Sequence, residues 1–219
     1  MKLIPAIFAA AALCLGSGAT LAAKTKCELD RSKDKDKGFE RAKNEKGKTR
    51  KGFYIDKFTD ELVVETEWKP VGQEDTRGSV ALRSRGENSF LTLRVVDRWP
   101  KKTFPTDDEI QNAFAIVPEN DLLIGMADGS VLTLHSTAGS DTETTYQTPK
   151  PRSGQRFWVT SKVSIEYALD AESKAALMAT PARALRVMTD SGHLDIRIEG
   201  SGHGEVIRTA ARCIAGESK

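Results

Sequence analysis

The chain has 219 residues, with 33 Lys and Arg against 31 Asp and Glu, three cysteines and three histidines. A chain of this length buries a core of its own, which excludes the small scaffolds that depend on several bridges. Its formal charge of +2 conceals a polarised distribution: residues 24–51 hold 12 basic and 6 acidic side chains, and residues 52–219 hold 20 and 25.

In chain order, residues 1–22 read as a signal peptide. Lys2 gives a short positive start, and Leu3 to Leu15 form an apolar run about as long as a signal core and shorter than a membrane span. Thr20-Leu21-Ala22 places small side chains where a signal peptidase inspects them, so cleavage is expected after Ala22 or Ala23. Gly16, Ser17 and Gly18 interrupt the run too early for an uncleaved anchor. Leu13 before Cys14 and Lys26 before Cys27 stand where a lipoprotein signal requires a small residue. A periplasmic or secreted protein is expected, and Cys27 and Cys213 are then its only thiols, with one intramolecular disulfide open to them.

Residues 23–51 read as a basic charged arm. Asp30 to Gly38 contains no apolar residue, and Phe39 is the only large one between Leu29 and Phe53, so a mobile or weakly structured segment is expected. Its functional reading is contact with an anionic surface such as lipid head groups, lipopolysaccharide or an acidic partner; the plainer reading is a solvated linker. Nucleic acid is not an expected partner, because Asp and Glu interleave with the lysines and no aromatics punctuate the run for base stacking. Asp34-Lys35-Asp36-Lys37-Gly38 has too few carboxylates for a calcium loop, and its glycine is one position out of place, fifth where the loop needs it sixth.

Residues 52–219 read as a single α+β domain, a mostly antiparallel sheet with two or three helices. Leu62 to Trp68, Ser89 to Val96, Asp121 to Met126 and Ser130 to Ser136 alternate as strands do, and Asp128-Gly129 suits a tight hairpin turn. A weaker helix is expected over Thr106 to Phe114, and Gly139 to Gly154 reads as loop or edge material. Phe157 to Leu169 is a long strand of period two. The C-terminal part then reads strand, helix, hairpin, helix. Asp170 caps Ala171 to Ala179, Pro181 stops that helix, and the hairpin turns at Ser191-Gly192. Val206, Ile207, Ala210, Ala211 and Ile214 form the apolar stripe of a last helix, with Cys213 beside it.

Tyr54-Ile55-Asp56-Lys57-Phe58-Thr59, followed by Val64-Glu65-Thr66-Glu67-Trp68, resembles a pattern found in exported bacterial proteins of uncharacterised function. In that group an Asp-x-Phe-Thr element opens the domain, and an Asp-Gly hairpin lies midway. A Tyr-x-Leu-Asp strand exit then leads to a helix and a final hairpin, places held here by Tyr167-Ala168-Leu169-Asp170 and Asp190-Ser191-Gly192-His193. The resemblance implies the C-terminal strand-helix-hairpin-helix order, and no catalytic residues come with it.

No catalytic or cofactor-binding constellation is legible. The three histidines are His135, His193 and His203; His193 and Asp195 are two apart on one strand face, and His203 lies in the glycine-rich turn Gly200 to Gly204. His193, Asp195 and His203 are the metal candidates, with Asp190 as a candidate fourth ligand, although no recognised ligand spacing is present. No Gly-x-Ser-x-Gly elbow or phosphate-binding glycine loop occurs, and Asp107, Asp108 and Glu109 point in different directions on a helix. Trp68, Trp99-Pro100 and Phe157-Trp158 border expected loops, where tryptophans anchor either an interface or the core. The expected function is non-enzymatic: an exported protein binding a macromolecular partner, a protein or other envelope component. The alternative is a small envelope hydrolase or metal-dependent enzyme built on His193, Asp195 and His203.

Overall fold

The computed structural model describes residues 27–72, 76–101, 120–138, 143–147, 157–190, 192–198 and 201–216. The signal peptide and the helix expected over Thr106 to Phe114 lie outside these residues.

Twelve strands and two α-helices are described. The strands are β1 (Phe39–Lys43), β2 (Thr49–Asp56), β3 (Leu62–Glu65), β4 (Lys69–Val71), β5 (Thr76–Arg85), β6 (Asn88–Lys101), β7 (Asp121–Met126), β8 (Val131–His135), β9 (Glu143–Gln147), β10 (Phe157–Leu169), β11 (Ala182–Thr189) and β12 (Gly192–Arg197). The helices are α1 (Ala171–Ala179) and α2 (Ser201–Ile214), and a short 3-10 turn covers Ser32–Lys35. β1-β2-β3-β5-β6-β10-β9 form one curled antiparallel sheet, with β4 pairing the first half of β5. β12-β11-β7-β8 form a second, four-stranded antiparallel sheet.

The fold is therefore mostly β, which corrects the expected α+β class with two or three helices. Charge hid the extra strands. Thr76–Arg85 carries three arginines, and the β1–β2 hairpin lies largely within the lysine-rich run, yet Ala42, Phe53, Val80 and Leu82 on these strands are buried. Val80 and Leu82 of β5, Leu91, Leu93 and Val95 of β6, and Val163 and Ile165 of β10 are almost inaccessible. They join Leu122, Ile124, Leu185, Val187 and Ile196 of the second sheet in one core.

α1 starts where Asp170 accepts the Ser173 amide at 2.7 Å, which satisfies one of the amides a helix start leaves without a partner. α2 contacts β4, β5 and β11 and so spans both sheets. Ile207, Ala210, Ala211, Cys213 and Ile214 form its buried face. This helix begins at Ser201 and absorbs the glycine-rich stretch expected to be a turn. The physical reason is close approach: a Cβ on Gly204 would lie 2.4 Å from the Ala182 carbonyl oxygen.

From Cys27 onward the arm is structured rather than weakly ordered, and the expected boundary at residue 52 falls inside β2. Leu29 bridges to Thr66, the Asp30 amide donates to Glu65 O at 2.7 Å, and the Glu67 amide donates to Glu28 O at 2.9 Å. Gly52 permits this layer: its φ is +76°, and a Cβ there would meet Leu29 at 2.4 Å. The Cys27–Cys213 disulfide ties the segment to α2 across 186 residues of sequence. Such a bond fits an exported protein. Among the described residues no helix is long and apolar enough to cross a membrane.

Candidate binding surfaces

The link from β2 to β3 is a turn held from several directions. The Asp56 amide donates to Glu61 O at 2.9 Å, the Asp60 amide donates to Asp56 O at 2.7 Å, and Asp60 takes a φ of 57°. Asp56, only 8% exposed, accepts the Phe58 amide at 2.9 Å through one oxygen and Arg85 Nη2 at 3.0 Å through the other. Arg85 Nε also donates to Glu61 at 2.7 Å, and this bond holds the Glu61 carboxyl below its ordinary range. The Lys57 amide donates to Gly38 O at 3.0 Å, and its Nζ donates to Lys37 O at 2.9 Å. At the tip Phe58 is 89% exposed, with Leu62 partly exposed nearby in sequence. The Asp-x-Phe-Thr motif is thus a braced display of one aromatic ring. The sequence carried the motif without the signal, since exposure of a phenylalanine is decided by tertiary packing.

The metal candidates are less well placed. His193 and Asp195 share the outer face of β12, with 3.9 Å between Nε2 and Oδ2. Asp195, however, accepts a fork from Arg186, Nε at 2.7 Å and Nη2 at 2.9 Å, which holds its carboxyl below the ordinary range. Two parallel charge-assisted bonds occupy both oxygens of the group a cation would need. The side chain of His203, now in the first turn of α2, lies outside the described side chains. Asp190 directly follows β11 in the turn toward β12, and His135 pairs with Asp121 at 2.7 Å instead of joining His193. Among the described residues no group of three His, Cys, Asp or Glu is close enough to hold a metal ion.

The basic run divides by role. Lys33 pairs with Glu65 at 2.9 Å and Arg41 with Asp34 at 2.9 Å, so these two brace the 3-10 turn against the sheet. Lys43, Lys46, Lys48 and Lys51 are exposed around the β1–β2 hairpin, whose turn is shaped by Asn44 Oδ1 accepting the Lys46 and Lys48 amides. Of the tryptophans, Trp68 is half-buried under the Arg94 guanidinium, 4.3 Å from the ring centre, and is committed to the fold. The side chains of Trp99 and Trp158 lie outside the described set.

A cavity of about 210 Å³ lies beside the disulfide, between α2 and the β3–β4 link. Glu28, Glu67 and Lys69 stand on its rim, and Lys69 bridges the two carboxylates. Glu205 on the same rim pairs with Arg208 at 2.5 Å, so the opening is largely neutralised by its own side chains. Comparison with family models, with curated proteins and with solved structures returns no match.

Proposed function

We propose that this is a non-enzymatic exported protein that binds a macromolecular partner of the cell envelope, a protein, through the Phe58 turn. The observation that carries the reading is a phenylalanine 89% exposed on a turn whose backbone is already fixed. An exposed ring loses contact with water only when something covers it, and full burial of a Phe contributes about 1.5–3 kcal/mol. A fixed turn adds to this by removing the ordering cost that a flexible loop would bring to binding. Aromatic anchors of this kind dominate interface energetics. The enzymatic alternative lacks a comparable observation, because Asp195 is engaged by Arg186.

The test replaces Phe58 with a photo-crosslinking phenylalanine analogue in the native envelope. Expected is one discrete adduct, competed away by wild-type protein and not by Phe58→Ser, with both proteins melting at the same temperature. Adducts that Phe58→Ser competes equally well would remove the turn from the interface.

A further inference from the structure

The outer face of the four-stranded sheet is dimpled at a glycine that has room for a side chain. Gly125 sits in the interior of β7, paired on one side with Ala184 of β11 and on the other with Val131 of β8. Its φ lies outside the left-handed range, and a Cβ added there would meet nothing nearer than Ala184 at 3.9 Å, an ordinary contact. Contrast Gly78 of β5, where a Cβ would collide with Val71 at 2.9 Å. Glycine within a strand costs roughly 0.5–1 kcal/mol against alanine, and it marks either a bulge, such as the register shift of β11 between Ala182 and Ala184 beside it, or close approach of a ligand or another backbone.

With Ala184 beside it, Gly125 leaves a groove of about 310 Å³ across the strands. The cross-strand row runs Val131, Gly125, Ala184, Arg197. Val131, 64% exposed, stands at one end, and Leu123 forms a side wall. Arg197 stands at the other end, exposed, and its charge is one of those that hold the nearby Asp195 carboxyl below its ordinary range. Two guanidinium groups, Arg186 in direct contact and Arg197 farther off, share the single carboxylate of Asp195, which leaves a net positive charge there. Three inter-strand steps separate Arg197 from Val131, roughly 14 Å. An apolar floor with a cation at its end matches the composition of small-molecule sites, which are mostly apolar with a few placed polar groups.

We propose that this groove binds a single-chain amphiphile with an anionic head, the head on Arg197 and the chain lying over Ala184 and Gly125 toward Val131. The site is separate from the Phe58 turn, and the proposal does not rest on that reading.

The experiment titrates purified protein with dansyl-undecanoate and follows fluorescence. Expected is a saturable signal abolished by Gly125→Val and by Ala184→Leu, two substitutions that fill the groove with residues a strand accommodates, with circular dichroism unchanged. Arg197→Gln is expected to weaken binding about tenfold through loss of a charge-assisted bond, and a neutral dansyl-undecanol should bind about tenfold less tightly. Displacement by dodecanoate would identify a free fatty acid, displacement by a lysophosphatidylglycerol a phospholipid product, and displacement by neither overturns the proposal. So would a signal that survives both groove-filling variants, equal binding of the neutral probe, or a dimer that Gly125→Val dissociates, which would assign the groove to a second copy.

Discussion

Two buried tyrosines have opposite energetic standing. The Tyr54 hydroxyl donates to Asp34 at 2.7 Å, whereas the Tyr167 hydroxyl is buried without a hydrogen-bond partner among the described residues. An unsatisfied buried polar group costs about 1–3 kcal/mol, and a satisfied one contributes about 1 kcal/mol. Tyr167→Phe should therefore hold or raise stability by about 1 kcal/mol, and Tyr54→Phe should lower it by a similar amount, both read from urea unfolding. Matching losses in the two variants would refute the contrast. Burial and the bond to Asp34 push the Tyr54 phenol up to about 12, and burial raises Tyr167 as well. A raised folded pKa means the stabilisation is complete below the unfolded value near 10 and is lost as pH climbs from there toward 12. Melting temperatures measured from pH 9 to 12 should fall steeply in the wild type and less steeply in Tyr54→Phe. Parallel curves would contradict the assignment.

Among elements, α2 provides a sign test between propensity and packing. Replacing a helical glycine with alanine ordinarily gains about 1 kcal/mol. At Gly204 the added methyl would press on the Ala182 carbonyl, a fixed strand backbone, and overpacking of this kind typically costs 1–3 kcal/mol. Gly204→Ala should therefore lower the melting temperature by a few degrees, and an increase would show that α2 can lift from β11 without loss. The same glycine explains why this helix start was illegible. Gly200 to Gly204 looks like a turn in sequence, and only the closeness of β11 makes glycine a packing residue. Strand β10 was legible because Val163, Ile165 and Tyr167 alternate with exposed Lys162 and Ser164, and α1 because Asp170 is a cap in sequence and in structure. β1 and β2 were hidden because what holds them is non-local: Leu29 against Gly52, Tyr54 on Asp34, Ala42 in the core. The Phe58 and Gly125 surfaces were hidden for a related reason. One is an apolar residue left out of the core and the other a missing side chain, and neither is visible without neighbours.

For the whole molecule, the segment from Cys27 and the C-terminal helix are joined covalently. Cys27 connects to the layer of Leu29 and Asp30 on β3, and Cys213 belongs to the buried face of α2. Closing so long a loop contributes up to about 5 kcal/mol by chain entropy, which corresponds to roughly 10–20 °C in melting temperature for a domain of this size. The Cys27→Ser, Cys213→Ser double variant should melt lower by an amount in or below that range. A melting temperature within a degree or two of wild type would show that the contacts of residues 28–30 hold the segment unaided.

Topologically, the bond closes residues 27–213 into a macrocycle, with the Cα atoms of residues 27 and 213 only 5.6 Å apart. A single backbone cut anywhere inside that ring opens a circle without releasing a fragment. Both pieces stay covalently joined and poised to re-form the sheets that each needs from the other. In surroundings rich in proteases this turns a first cleavage from a terminal event into a survivable one.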